Sequence, residues 1–128
     1  MLLFLYRPEK RVKRGGIVTY QRTKQENCGV IALAQAVAAH SVGLPLVAIA
    51  KADKPGDPAV IKGRQLAMYL ARTVLKRSLR EIAHTFERAH PTVLHACRRI
   101  EEAREDPAFD RTVEWLETLV RRAAGVPA

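Results

Sequence analysis

Basic and imidazole side chains are concentrated in the segment FERAHPTVLHACRRI, residues 86–100. From His90 onward the apolar residues recur at helical intervals, and the polar face of the predicted helix carries Thr92, His95, Arg98, Arg99 and Glu102. Arginine and imidazole groups on one exposed helix face can donate hydrogen bonds to phosphates and to the edges of bases. Because an α-helix fits the major groove of DNA, this segment is a candidate recognition helix.

The residues before this helix supply the first half of a helix-turn-helix. Ser78 with Glu81 three residues later forms a capping box, in which each side chain satisfies a free backbone N–H at a helix start. Residues 87–89 form a short turn after that helix, whose apolar stripe consists of Leu79, Ile82, Ala83 and Phe86. An ordinary antiparallel helix pair has the same pattern. Outward Thr, His and Arg, in place of the Glu and Lys of a solvated helix, favour DNA binding.

The rest of the chain predicts an all-α fold of about six helices. A continuously apolar stretch over residues 26–40 predicts a well-buried helix, and residues 44–50 predict a helical turn or two. The segment DKPGDPA, residues 53–59, has the composition of a loop. Further helices are predicted over residues 60–76, 78–86 and 90–105, and a last helix has Asp106 as N-cap and Pro107 as its first residue.

Length and charge define the organisation of the chain. Its 128 residues suffice for one compact domain, and 22 Lys and Arg against 13 Asp and Glu give a net charge of +9. A polyanionic partner is therefore expected. Residues 7–24 carry seven cations against the single acid Glu9. We predict a basic N-terminal arm, residues 1–25, and a helical domain, residues 26–124; the alternative for the arm is an unstructured tail without a specific ligand.

Several other chemistries are not indicated by the sequence. No CxxC motif accompanies the nearby residues His84, His90, His95 and Cys97, so no metal site is expected. No catalytic arrangement has supporting motif context, and no cofactor is expected. No stretch is long and apolar enough to span a membrane, and two cysteines are too few for a disulfide scaffold, which indicates a reducing cytoplasm. Trp115 is expected in the core or at a groove edge.

Residues 63–102 resemble the C-terminal DNA-binding domain of the bacterial replication initiator DnaA. The motifs RQLAMYLAR, SLREI and HPTVLHACRRIE occur in the order and spacing of that domain, and weaker similarity extends the resemblance over residues 26–122. The resemblance implies a Trp-repressor-like, all-α helix-turn-helix fold that binds double-stranded DNA. Because the sequence has no Walker A motif and nothing similar to the ATPase module of the initiator, we do not expect it to act as an initiator alone.

The resemblance also implies which residues contact DNA. Phosphate contacts are expected on the long helix, at the start of the next helix and in the first turn of the recognition helix, at Lys62, Arg64, Gln65, Arg72, Lys76, Arg77, Ser78 and Thr92. Base reading is expected from Arg88, His90, Pro91 and His95. Arg98 and Arg99 are the further basic residues of the recognition helix.

Departures from the family pattern lower the expected sequence specificity. The acid that precedes the histidine in the family is Ala89 here, and the threonine that follows it is Pro91, which has neither a hydroxyl nor a backbone N–H. The Gly-Gly of the turn is reduced to Glu87, and the arginine-rich minor-groove loop is replaced by DKPGDPA, whose only cation is Lys54. Each lost base contact costs about 1–3 kcal/mol, whereas phosphate binding depends mainly on the number of cations.

The sequence therefore predicts a double-stranded DNA-binding helix-turn-helix protein with altered or relaxed sequence specificity. We expect it to regulate replication initiation or transcription, and to lie in the cytoplasm with the nucleoid. The alternative is a protein-interaction module that binds the replication initiator or its regulators rather than DNA. No enzymatic activity is expected in either case.

Overall fold

Six α-helices make up the domain in a computed structural model of the chain. The structure describes residues 11–14, 17–20, 24–50 and 57–126, with side chains from residue 29 onward. The helices are α1 (Lys24–Val42), α2 (Leu46–Ala50), α3 (Pro58–Thr73), α4 (Leu79–Phe86), α5 (His90–Ala103) and α6 (Pro107–Ala124). The predicted all-α fold is confirmed, and residues 57–126 contain no strand. No described helix is both long enough and apolar enough to cross a membrane.

A two-stranded antiparallel hairpin precedes the helices. β1 (Arg11–Arg14) pairs with β2 (Ile17–Tyr20), so that Arg11 lies opposite Tyr20. The sequence predicts a basic arm here and no strands. Residues 17–20 are β-branched or aromatic, and the Gly-Gly dipeptide between the strands is typical of two-residue hairpin loops. The division of the chain at residue 25 stays a prediction.

The N-terminus of α3 differs from the predicted start at residue 60. Asp57 is the N-cap, with its carboxylate accepting a hydrogen bond from the Ala59 N–H at 3.0 Å, and Pro58 is the first helical residue. The pair Asp57-Pro58 has the same signature as the pair that predicts the start of the last helix. At the start of α3 the signature is less evident, because the pair lies within a stretch of loop-like composition. Residues 53–56 of the predicted loop lie outside the described residues.

The C-terminus of α3 lies earlier than the predicted end at residue 76. The helix ends at Thr73, and Lys76 has a left-handed backbone with φ of 57°. This conformation turns the chain back, so the Arg77 N–H reaches the Ala71 carbonyl at 3.1 Å. A non-glycine residue in this region is disfavoured by about 1 kcal/mol, so Lys76 is a strained position.

The core is centred on α3, which contacts all five other helices. Its innermost side chains are at most 1% exposed and comprise Leu66, Ala67, Leu70 and Ala71. Gly63 allows α2 to approach closely, because a Cβ atom there would lie 2.4 Å from the Ile49 Cδ1. α1, α4, α5 and α6 complete the core with Ile31, Ala34, Ile82, Phe86, Val93, Ile100, Val113 and Val120.

The helix-turn-helix is formed by α4 and α5. The predicted capping box at the start of α4 is confirmed: the Ser78 N–H donates to the Glu81 carboxylate at 2.9 Å, and the Glu81 N–H donates to the Ser78 hydroxyl at 3.1 Å. Glu87 ends α4 with a left-handed φ of 55°. The Arg88 N–H then donates to the Ala83 carbonyl at 2.9 Å, so one left-handed residue makes the whole turn.

Arg104 ties the end of α5 to α3 and α6. Its guanidinium donates to the Asp110 carboxylate at 2.6 Å, to the Glu117 carboxylate at 3.1 Å and to the Tyr69 hydroxyl at 3.0 Å. Partial burial lowers the pKa of Arg104, but the hydrogen bonds to Asp110 and Tyr69 and the charge of Glu117 outweigh it and raise the pKa. Asp106 caps α6, as predicted, by accepting from a backbone N–H in its first turn.

Trp115 lies outside the core, which is one of the two places expected for it. Its side chain is 59% exposed on α6, whereas the neighbouring Leu116 is 4% exposed. Consecutive residues of a helix point about 100° apart, so adjacency to a core residue in the sequence does not place a side chain in the core.

Candidate nucleic-acid interface

The exposed face of α5 carries the polar residues that the sequence predicts there. Thr92, His95, Arg98 and Arg99 are exposed, and the opposite face is buried through Val93, Ala96, Cys97 and Ile100. The prediction that Arg98 and Arg99 face solvent is confirmed. Neither arginine forms an ion pair within the part of the chain that the structure describes. Their positive charge is therefore available to an anionic ligand.

The turn before α5 brings the predicted base-reading residues to the surface. Arg88, His90 and Pro91 are all exposed. The N-cap of α5 is Ala89, which makes no side-chain hydrogen bond to the helix, so the first N–H groups of α5 lack the usual side-chain acceptor. Pro91 has no N–H and the Thr92 N–H donates to the Ala89 carbonyl at 3.0 Å, so the positive end of the helix dipole is what favours an anion at this end.

The predicted phosphate contacts on α3 and the start of α4 differ in their surroundings. Lys62 and Lys76 are exposed, and the Lys62 ammonium lies 4.6 Å from the centroid of the Phe109 ring. Arg77 donates from Nε to the Leu75 carbonyl at 3.0 Å and lies 4.0 Å from the Glu81 carboxylate. Ser78 is exposed and caps α4, and Gln65 is half-buried. Contact of these residues with phosphate stays a prediction.

Arg64 is buried at the centre of this region. It is 7% exposed, and its guanidinium donates to the Ile49 carbonyl at 3.2 Å and to the Phe86 carbonyl at 3.4 Å. It also lies 5.4 Å from the centroid of the Phe86 ring. Burial and the charge of Arg88 lower the pKa of Arg64. Because it binds the C-terminal carbonyls of α2 and α4, it connects the two helices, and its predicted contact with phosphate is untested.

Arg72 lies between the core and the surface. It is half-buried, and one terminal guanidinium nitrogen is buried without a hydrogen-bond partner. Burial raises the pKa of the nearby Cys97 thiol; the charge of Arg72 opposes this and that of Glu101 adds to it. Cys97 therefore stays a neutral thiol in the core. A buried guanidinium nitrogen without a hydrogen-bond partner lowers the stability of the fold.

Arg80 and His84 are exposed cationic or titratable side chains that the sequence analysis did not select as DNA contacts. They lie four residues apart on α4, so they share one face of the helix. That spacing is visible in the sequence, but the resemblance assigns no role to either position. Within the described residues, no group of three His, Cys, Asp or Glu side chains is close enough to hold a metal ion.

The family model described as "Bacterial dnaA protein helix-turn-helix" matches residues 32–100, more than half of the chain. The chain belongs to the bacterial DnaA helix-turn-helix family. The match includes most of α1, all of α2, α3 and α4, and α5 up to Ile100. It therefore covers the helix-turn-helix and the helices that brace it.

Relatives in the DnaA family are chromosomal replication initiator proteins. The protein from Symbiobacterium thermophilum is 46% identical over 65 residues, which are 49% of this chain and 14% of that protein. The protein from Caulobacter vibrioides strain NA1000 is 49% identical over 69 residues, which are 52% of this chain and 14% of that protein. The chain thus matches about one seventh of the length of these initiators.

Solved structures of DnaA family proteins share the fold. A crystal structure of a DNA replication initiation factor aligns with a TM-score of 0.69 and 27% identity, over 79% of this chain and 31% of that one. The replication initiator DnaA bound to AMPPCP and single-stranded DNA aligns with a TM-score of 0.64 and 31% identity, over 74% of this chain and 28% of that one. The similarity is to the DNA-binding domain of DnaA and not to its ATPase module.

Proposed function

We propose that the chain binds double-stranded DNA with α5 in the major groove. The observation that carries this proposal is the exposed polar face of α5, where Arg98 and Arg99 lack ion-pair partners among the described residues, in a helix-turn-helix of the DnaA family. In helix-turn-helix proteins the second helix enters the major groove and the first helix crosses the backbone. Lys62, Arg72 and Lys76 on or just after α3 would add phosphate contacts to those of the helix-turn-helix.

The sequence preference of this DNA binding is proposed to be altered or relaxed. Base contacts at the start of α5 would come from the exposed Arg88 and His90, since Ala89 presents only a methyl group and Pro91 presents no donor. Two absent base contacts reduce discrimination by about 1–3 kcal/mol each. The cations that bind phosphate are retained, so affinity for DNA in general is expected to persist.

The biological role that we propose is regulation of DNA replication initiation or of transcription. The chain shares with the initiators the domain that contacts DNA, and it carries no Walker A motif. We therefore propose no enzymatic activity and no cofactor. Binding to chromosomal DNA would place the protein in the cytoplasm with the nucleoid.

Substitution of two cations at the end of α3 tests the phosphate contacts. We expect Arg72→Ala with Lys76→Gly to weaken binding to all duplexes alike and to lower the slope of log affinity against log salt by about 2. From that slope, the affinity at 0.2 M salt should fall roughly 20-fold relative to 1 M, where the electrostatic contribution is small. Fluorescence anisotropy titrations at several salt concentrations measure both quantities.

One single variant and one matched control distinguish an effect on DNA binding from an effect on folding. A glycine in place of Lys76 relieves the left-handed backbone at this position, so the Lys76→Gly single variant should unfold at higher denaturant than the original chain. The matched control is Arg111→Ala with Arg122→Ala, which removes two exposed charges from α6, outside the helix-turn-helix. An equal loss of affinity in both double variants would show that net charge, and not the proposed surface, determines binding.

The second candidate function is a protein-interaction module that binds the replication initiator or its regulators. Neighbouring exposed apolar side chains on α2 favour it: Leu46 is 44% exposed and Val47 is 64% exposed. The changes at Ala89 and Pro91 also remove the donors and acceptors that base reading requires. Under this alternative the substitutions at Arg72 and Lys76 would leave partner binding unchanged, and no duplex would bind even at low salt.

A further inference from the structure

An open groove of about 500 Å³ runs along the exposed side of α4 and into the turn before α5. Arg80 and His84 line it on α4, and Arg88 and His90 line it beyond the end of the helix. Arg80 and His84 are separated by about 6 Å along the helix axis, given the rise of 1.5 Å per residue. The groove thus adjoins the base-reading end of α5 and extends away from it along α4.

The lining of the groove carries more positive than negative charge. Two arginines and two histidines face a single acid, Glu87. Arg80 forms no ion pair with Glu87 or with any other residue that the structure describes, and the guanidinium of Arg88 donates only to the neighbouring Glu87 carbonyl at 3.2 Å. On a helix face that contacts only solvent, positive and negative side chains are usually mixed. A net positive charge in a concave surface is suited to an anionic ligand.

We propose that this groove binds the sugar–phosphate backbone of double-stranded DNA, with Arg80 and His84 as phosphate ligands. The site rests on the proposed function and extends it, because neither residue is among the contacts that resemblance to the family implies. Arg80 provides a permanent charge with several donors, and His84 provides one N–H donor when neutral and two when protonated. Both side chains are exposed and can reach a ligand without rearrangement of the core.

The position of the groove on the first helix of the helix-turn-helix favours the DNA backbone as its ligand, rather than a small free anion. The first helix of a helix-turn-helix crosses the backbone when the second lies in the major groove, which brings phosphates to the exposed side of α4. The groove is open to solvent, as an extended ligand requires. Its other end is formed by Arg88 and His90, which are proposed to contact the same duplex.

The Arg80→Ala/His84→Ala variant tests this site and leaves Arg88 and His90 intact. Both positions are exposed and helical, so alanine should preserve the fold, and the melting temperature serves as the check. We expect roughly fourfold weaker binding at 0.2 M salt and a salt slope lower by about 1, on an initiator-box duplex and a scrambled duplex alike. Arg111→Ala on α6 is the matched control and should bind as the original chain does.

Duplexes in which all phosphates of one strand are uncharged methylphosphonates test backbone contact without requiring a fixed position of the protein on the DNA. This replacement should weaken binding of the original chain more than that of the double variant, because the variant has already lost part of the contact. Unchanged affinity and slope in the double variant would overturn the site while leaving the proposed function intact. A loss confined to the box duplex would also overturn it, since that result indicates base reading. Failure of the original chain to bind either duplex would overturn the proposed function itself.

Discussion

Replacement of Arg64 by Met should lower the free energy of unfolding by about 3 kcal/mol. The guanidinium is 7% exposed and holds the Ile49 and Phe86 carbonyls, which are the C-terminal acceptors of α2 and α4. Methionine fills the space of the stem but donates no hydrogen bond, so both carbonyls lose their partner. Methionine also removes the free-energy cost of burying a charged guanidinium, and this offsets part of the loss. Chemical denaturation of the purified variant measures the effect.

The Arg64→Met variant also shows whether Arg64 acts by holding the turn in place or by contacting phosphate. Since Arg64 binds the carbonyl of Phe86 directly before the turn, its loss should weaken DNA binding through the position of α5 and leave the salt slope unchanged. A slope lower by about 1 would show instead that Arg64 contacts phosphate, as resemblance to the family implies. Arg64→Lys is the control. Lysine keeps the charge, but its single ammonium group cannot donate to both carbonyls as the guanidinium does, so this variant should be nearly as unstable as Arg64→Met.

Restoration of the family residues at the start of α5 should create a preference for the initiator box. We expect Ala89→Asp with Pro91→Thr to add about 2 kcal/mol of discrimination between box and scrambled duplexes, roughly 30-fold in affinity ratio. The introduced aspartate supplies a carboxylate that can accept from a base amino group, and the introduced threonine restores a hydroxyl and a backbone N–H. Competition titrations with the two duplexes measure the ratio.

The Ala89→Asp change carries an internal control. Ala89 is the N-cap of α5 and makes no side-chain hydrogen bond, so aspartate there should also stabilise the fold by about 1 kcal/mol. Greater stability without a new preference would show that the shortened turn at Glu87, and not the missing side chains, limits base reading. A strong box preference in the original chain, unaltered by these substitutions, would contradict the proposed loss of specificity.

Local signals explain why much of the fold was predictable from the sequence. The capping box of Ser78 and Glu81 and the Asp106 cap involve residues within three positions of each other, and both form as predicted. Three residues of the apolar stripe of α4 are buried as their helical spacing requires, and Leu79 is half-buried against the core. The hairpin was missed because seven cations suggested a solvated arm and outweighed the β-branched residues around Gly15–Gly16. The start of α3 was missed because Asp57–Pro58 follows other turn residues.

The role of Arg64 depends on tertiary structure and could not be predicted from the sequence. Periodicity places Arg64 with the other cations of α3, but the C-termini of α2 and α4 converge on it only in the folded chain. The groove on α4 could not be predicted from the sequence either, because its walls come from the helix, the turn and the first residue of α5. The exposed face of α5 needed only helical spacing, so that part of the candidate interface was predicted in full.

The central claim is that this DnaA family helix-turn-helix binds double-stranded DNA mainly through phosphates. Anisotropy titration of the purified chain on an initiator-box duplex and a scrambled duplex, each at a low and a high salt concentration, tests it most directly. We predict similar affinity for the two duplexes and a steep decrease with salt. A box preference of about 10³-fold or more would contradict the relaxed specificity. Absence of binding to either duplex at low salt, with the initiator co-purifying from cells, would contradict DNA binding in favour of the interaction module.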